Sequence, residues 1–164
     1  MPSTAAVIRT MPNMPAIIGR GVTLACTSSS AAPEHLGKVI EIFSSVGLCL
    51  NVGEELFDAG TAVSGSGSAY FFSFMESMVR GAVRLGLSFD QARDMVVQTA
   101  LGSAELAAAH PDEHLAALRD LSSGPAGTTV EGLYIFEREG LGGIFQTALE
   151  AAAKRSRQMP HKQR

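Results

Sequence analysis

Two short stretches of this sequence carry residue types suited to holding a small anion. The first, Ser122-Ser123-Gly124-Pro125-Ala126-Gly127-Thr128-Thr129, is a run of small residues that leads straight into a helix start. A helix N-terminus presents backbone N–H groups without intrahelical partners and roughly half an elementary positive charge. It binds a carboxylate or phosphate with no basic side chain, and the hydroxyls of Thr128 and Thr129 offer further donors. The same residues also suit a plain helix cap. The second stretch, Ser64-Gly65-Ser66-Gly67-Ser68, has neither the lysine of a P-loop nor the buried strand that precedes one. It reads as a flexible lead-in to a helix, and its small side chains let another backbone or a ligand come close. Helix packing and one wall of a ligand site are both open readings of it.

Other chemistries find little support. His35, His110, His114 and His161 are scattered, and the i,i+4 pair His110/His114 has no HExxH pattern and no third ligand, so no metal site is expected. No GxSxG marks a nucleophilic serine. Cys26 and Cys49 sit in apolar stretches, too far apart for a zinc motif, and read as buried free thiols of a reducing, cytoplasmic setting.

The elements that must position these residues change character along the chain. Short apolar runs at Ala5–Ile8, Gly21–Cys26 and Leu48–Val52 read as strands. Between the last two, Leu36, Val39, Ile40, Phe43 and Val46 share one face of a helix from Glu34 to Val46. This is a fragment of α/β architecture, too small to bury much core alone. From Glu54 onward the pattern is helical. Ser66–Leu85 is apolar nearly all round and reads as a buried helix. Ser88-Phe89-Asp90-Gln91 fits a capping box opening a helix to His110, and a short helix spans Glu113–Asp120. Thr128-Thr129-Val130-Glu131 fits a second box opening a helix to Glu139. Gly140, Gly142 and Gly143 read as a hinge before a last helix, Ile144–Met159.

Composition narrows the function classes. Of 164 residues, 46% are hydrophobic and 18% charged, which excludes a disordered chain. The net charge of −3 argues against a broad nucleic-acid footprint. The longest apolar stretch, Ala69–Met78, is interrupted by Ser73 and Glu76 and is too short to span a bilayer. Met1-Pro2-Ser3-Thr4 has no basic segment followed by an apolar run, so no signal peptide is expected.

Four segments together resemble one family. Arg9-Thr10-Met11-Pro12-Asn13-Met14-Pro15, followed by Gly19-Arg20-Gly21, resembles the MPNxP signature of pyrroline-5-carboxylate reductases. Asp58-Ala59-Gly60-Thr61-Ala62-Val63-Ser64-Gly65-Ser66-Gly67-Ser68-Ala69-Tyr70 resembles their DAxTAxSGSGPAY segment, and Gln98–Ala104 their QTxxGAA helix. Leu118 through Thr129 resembles their LRDxVTSPGGTT loop. The four follow in the family's order and spacing over most of the chain.

The resemblance implies a mainly α chain: a helical dimerisation and substrate-binding domain, residues 54–164, preceded by a residual α/β fragment, residues 1–53, equivalent to the end of a Rossmann-like domain. It implies NADPH- or NADH-dependent reduction of 1-pyrroline-5-carboxylate to L-proline, and an interlocked homodimer that assembles further into decamers. It places the Thr129 hydroxyl at the substrate nitrogen and carboxylate, and the amides of Gly127 and Thr128 at the carboxylate. Met11, Pro12 and Asn13 fall near the nicotinamide, with Ser64, Gly65 and Ser66 along the opposite wall. The sequence also departs from the family pattern. It has no GxGxxG after a strand, so NAD(P)H lacks its pyrophosphate site here. The expectation is a truncated reductase or one that obtains its cofactor half elsewhere; the rival is a non-catalytic dimerising helical module without cofactor binding. Ser68 replaces a proline, Gly124 a serine and Ala126 a glycine. The last exchange matters if that position requires positive φ, which a Cβ disfavours.

Overall fold

The computed structural model describes residues 5–159; Met1-Pro2-Ser3-Thr4 and His161, considered above for a leader and a metal ligand, lie outside the described residues. The chain forms two compact units: Met1–Tyr70 with Gln146–Arg164, and Phe71–Phe145.

The first unit is built on a three-stranded sheet in the order β1-β2-β3. Strand β2 (Gly21–Thr27) is central, and its Thr23, Leu24, Ala25 and Cys26 are all buried. A strand covered on both faces reads as an unbroken run rather than an alternation. β1 (Ile8–Pro12) pairs with it antiparallel, from Ile8 opposite Thr27 to Pro12 opposite Thr23. The strand therefore begins where the run Ala5–Ile8 ends, because pairing with β2 fixes it more than local hydrophobicity does. Pro12, which lacks an N–H, is tolerated at the end of an edge strand. Helix α1 (Pro33–Ser44) has Pro at its N-terminus and carries β2 over to the parallel strand β3 (Gly47–Asn51). β3 starts pressed against β2: a Cβ on Gly47 would lie 2.1 Å from the Gly21 carbonyl oxygen.

The core of this unit is Leu24, Cys26 and Phe57, flanked by Met11 and Val52. The Arg9 guanidinium lies 4.0 Å from the Phe57 ring centroid and pairs with Glu54. After β3 the backbone becomes helical at Glu54, and no strand follows among the described residues. α2 (Phe57–Gly60) runs into a π-helical turn, Thr61–Gly65, and then into α3 (Gly67–Arg84). Ser64–Ser66 is thus not a flexible lead-in but part of a continuous helical path. Gly60 permits this path to touch the sheet, since a Cβ there would meet Leu24 Cδ1 at 2.5 Å.

In the second unit, α3 and α4 (Phe89–Ala109) form a helical hairpin through Gly86, whose φ of +103° turns the chain. Ser88 caps α4 as its spacing predicts, accepting from the Gln91 amide at 3.3 Å while its own amide donates to Gln91 Oε1 at 3.2 Å. Val79 packs on Ala92 and Val96, with Met75, Ala82 and Leu87 around them. α5 (Leu115–Leu121) is capped by the ring of His114, and α6 (Thr128–Arg138) follows the small-residue loop. Gly140, at φ +70°, makes the next turn; Gly142 and Gly143 lie inside α7 (Leu141–Gln158), so the expected three-glycine hinge narrows to one residue.

The expectation of a buried helix at Ser66–Leu85 needs correction. In the single chain Phe71 is 69% exposed and Leu85 89%, and Phe72, Met78 and Val83 are exposed as well. The apolar pattern asks for more cover than one short hairpin provides. α4 and α6 share this property through Met95, Leu101 and Tyr134.

Candidate functional site

The first unit brings two of the expected segments together. Met11 and Pro12 end β1, the still extended Asn13 follows, and side chains alternate across an extended backbone. Pro12 faces outward and is exposed, while Met11 and Asn13 share the other side. That side meets the π-turn. Asn13 Nδ2 donates to the Ser64 carbonyl at 3.1 Å, and its Oδ1 accepts the Val22 amide at 2.8 Å. The Asn13 amide in turn donates to the Val22 carbonyl at 3.2 Å. The Met11 methyl covers Gly65 so closely that a Cβ there would approach it to 2.9 Å.

The π-turn itself is held by hydroxyls. Thr61 Oγ1 donates to the Phe57 carbonyl at 2.8 Å and Ser64 Oγ to the Gly60 carbonyl at 3.0 Å, while the Ser66 amide bonds back to the Thr61 carbonyl at 3.0 Å. Hydroxyls bonding back onto the preceding turn distort a helix, and single π-turns of this kind concentrate at functional sites. The sequence signal was only the density of small and hydroxyl residues.

Gly127, Thr128 and Thr129 lie in the second unit. Gly124-Pro125-Ala126-Gly127 forms a type II turn, with Pro at its second position and the Gly127 amide donating to the Gly124 carbonyl at 3.0 Å. Ala126 occupies the third position at φ +57°, the one non-glycine residue with positive φ among the described residues. The turn delivers the chain into α6 with Gly127 as N-cap and no side-chain cap.

Two expectations change here. Thr128 and Thr129 are the first helical residues rather than members of a capping box, because the extended Gly127 takes the cap position. The Gly127 amide is committed to the turn, so the open donors are the amides of Thr128 and Thr129; that of Val130 bonds the Gly127 carbonyl at 3.2 Å. Both threonine side chains are exposed. A recess of about 600 Å³ opens along α6, lined by Arg119, Ser123, Val130, Tyr134 and Glu137.

The remaining candidates serve structure. His110 Nδ1 pairs with the Leu106 carbonyl and His114 Nδ1 accepts the Ala116 amide, so each imidazole finishes a helix end. Among the described residues no three His, Cys, Asp or Glu side chains converge as a metal site. Cys26 is buried, whereas Cys49 is only half-buried. Burial pushes both thiols up from their ordinary range, and the Glu54 carboxylate adds to the shift at Cys26. No helix among the described residues is long and apolar enough to cross a membrane.

Comparison with known proteins bears on these segments. Residues 54–159 match the family model described as pyrroline-5-carboxylate reductase dimerisation. The chain is 40% identical over 157 residues to a pyrroline-5-carboxylate reductase of Synechocystis, covering 96% of this chain and 58% of the relative. It is 38% identical over 159 residues to one from Methanosarcina acetivorans, of which it covers 57%. A pyrroline-5-carboxylate reductase structure from Coxiella burnetii superposes with a TM-score of 0.91 at 30% identity, over 96% of this chain and 58% of that one. A Plasmodium falciparum pyrroline carboxylate reductase with NADP bound superposes with a TM-score of 0.88 at 32% identity, over 94% and 62%. The chain spans somewhat under two thirds of the length of these relatives.

Proposed function

Because the chain belongs to the pyrroline-5-carboxylate reductase family, we propose that it carries the substrate-binding and dimerising part of an enzyme that reduces 1-pyrroline-5-carboxylate to L-proline. Residues 54–164 are the helical dimerisation domain in this reading, and residues 1–53 the end of a cofactor domain. The observation that carries it is the start of α6. Gly127, set by the strained turn at Ala126, leaves the first turn without a side-chain cap and the amides of Thr128 and Thr129 open. Such a terminus suits the carboxylate common to substrate and product.

The amides of Thr128 and Thr129 hold the carboxylate, and the Thr129 hydroxyl spans it and the ring nitrogen. The reacting carbon is already electrophilic as part of a C=N bond. No strong base is therefore needed, and the residues act by orienting the ring and neutralising its charge. Ser64, Gly65 and Ser66 form the facing wall, supplied in the interlocked homodimer whose decameric assembly belongs to the same reading. The exposed apolar faces of α3 and α4 support that self-association.

The fit to a nicotinamide cofactor is partial. Met11 and Pro12, expected with Asn13 at the cofactor, provide a strand end beside which a nicotinamide can lie, and that group supplies a hydride when bound; the Asn13 carboxamide already pairs with Val22 and Ser64. The parallel crossover among the described residues turns through Ser28-Ser29-Ser30-Ala31-Ala32, without glycines, and this does not suit a pyrophosphate. The buried thiol of Cys26 supports a reducing compartment such as the cytoplasm.

Calorimetric titration of the whole chain with L-proline is the test, followed by NADPH oxidation with 1-pyrroline-5-carboxylate. Proline binding with turnover is expected of a reductase. Proline binding without turnover identifies a non-catalytic dimerising module. No binding of either acid overturns the proposal.

A further inference from the structure

We infer that Asn13 is a positioning residue, which acts on the substrate wall through the π-turn rather than by touching a cofactor. Three observations meet at this side chain. Its Oδ1 is taken by the Val22 amide at 2.8 Å and its Nδ2 by the Ser64 carbonyl at 3.1 Å, so each polar atom already has a protein partner. Its backbone amide donates to the Val22 carbonyl, so backbone and side chain both hold the residue to Val22 of the central strand. Two residues earlier, Met11 lies over Gly65, so the strand end grips consecutive residues of the turn. A π-turn is a local re-registering of the helical ladder, which opens a carbonyl to a partner from outside the helix. Asn13 provides one from the residue that follows β1, 51 residues away in sequence. The side chain is half-buried, where leaving an amide or carbonyl unpaired is costly. The carboxamide is thus the polar link between sheet and proposed substrate wall, beside the apolar contact of Met11 with Gly65.

This inference rests on the proposed substrate wall at Ser64–Ser66, but its test does not depend on ligand alone. Asn13→Asp keeps an acceptor for Val22 and turns a negative oxygen toward the Ser64 carbonyl. Amide hydrogen exchange over 61–66 is expected to speed up at least tenfold in this variant at neutral pH, with α4 unchanged. Lowering the pH toward about 4, near the ordinary Asp pKa, should restore protection, because the acid form again donates to the carbonyl. In the same variant L-proline affinity should fall about tenfold at neutral pH. Asn13→Ala, which removes both bonds, should loosen 61–66 at every pH. Unaltered exchange at 61–66 in both variants overturns the inference. So does proline affinity that holds while 61–66 loosens, since the turn would then not position the substrate wall. Global unfolding of both variants also overturns it, because the residue would then be holding the sheet alone. If the unmodified chain binds no proline, the functional proposal fails while the exchange and its pH dependence still judge Asn13.

Discussion

The Ser156 hydroxyl donates to Asp58 Oδ1 at 2.5 Å, joining residues 98 positions apart. Ser156 is 6% exposed, and it sits in the last turns of α7 against the helical segment that leads into the π-turn. The C-terminal helix is thereby tied into the first unit.

Removing this tie should cost stability. Ser156→Ala leaves a half-buried carboxylate without its donor, a loss of about 1.5–3 kcal/mol for a hydrogen bond to a charged group. Urea unfolding of the variant should show a lower midpoint with an unchanged slope. A midpoint equal to that of the unmodified chain would show that water replaces the hydroxyl at no cost.

At Ala126 the left-handed conformation penalises a Cβ by roughly 1–2 kcal/mol, while a glycine there would lose about 0.4–1 kcal/mol through a freer unfolded chain. Ala126→Gly should therefore be neutral to mildly stabilising. Ala126→Val should be clearly destabilising, because β-branching adds to the strain. Thermal unfolding of the pair checks the order; a more stable valine variant would mean that the turn had changed type.

For ligand binding the residue to change is Thr129. Its hydroxyl meets a carboxylate in the proposed complex, so Thr129→Ala should weaken L-proline by roughly ten- to a hundredfold, the equivalent of about 1.5–3 kcal/mol. Thr129→Ser should keep most of the affinity. Equal affinity of Thr129→Ala and the unmodified chain in calorimetry would remove the hydroxyl from the site.

Phe72 is 51% exposed on α3, so charge introduced there costs the isolated chain little. Phe72→Glu should nonetheless shift sedimentation from dimer toward monomer, with helical content unchanged. A variant that sediments as the unmodified chain would place the partner surface elsewhere.

Alkaline stability should report on Cys26. Its folded-state thiol is held above the ordinary value of 9.0, by burial first and then by Glu54. The unfolded thiol therefore loses its proton at lower pH than the folded one. The associated stability is complete below that ordinary value and is lost as pH rises through the folded value. Cys26→Ala should flatten this decline, and chemical denaturation between neutral and alkaline pH would reveal it. A decline of equal steepness in the variant would assign the effect to other groups.

Much of the fold was readable from local pattern. Strand β2, helix α1, the Ser88 box and the helix boundaries at Gly86 and Gly140 follow from apolar period, capping chemistry and glycine placement, all encoded within a few residues. The open helix start at Thr128 was equally local, because small residues before it leave its first amides without a side-chain cap. What the sequence left open depended on residues distant along the chain. Gly127 became the cap only once the turn at Ala126 had set its backbone, which committed one expected donor and freed others. The Asn13 carboxamide reached Ser64 only once the sheet had formed. The apolar helix at Phe71 looked buried because hydrophobicity records the need for cover and not what supplies it. Periodicity and capping are short-range and survive in a string of letters. Pairing across 51 or 98 residues exists only after the chain has closed on itself.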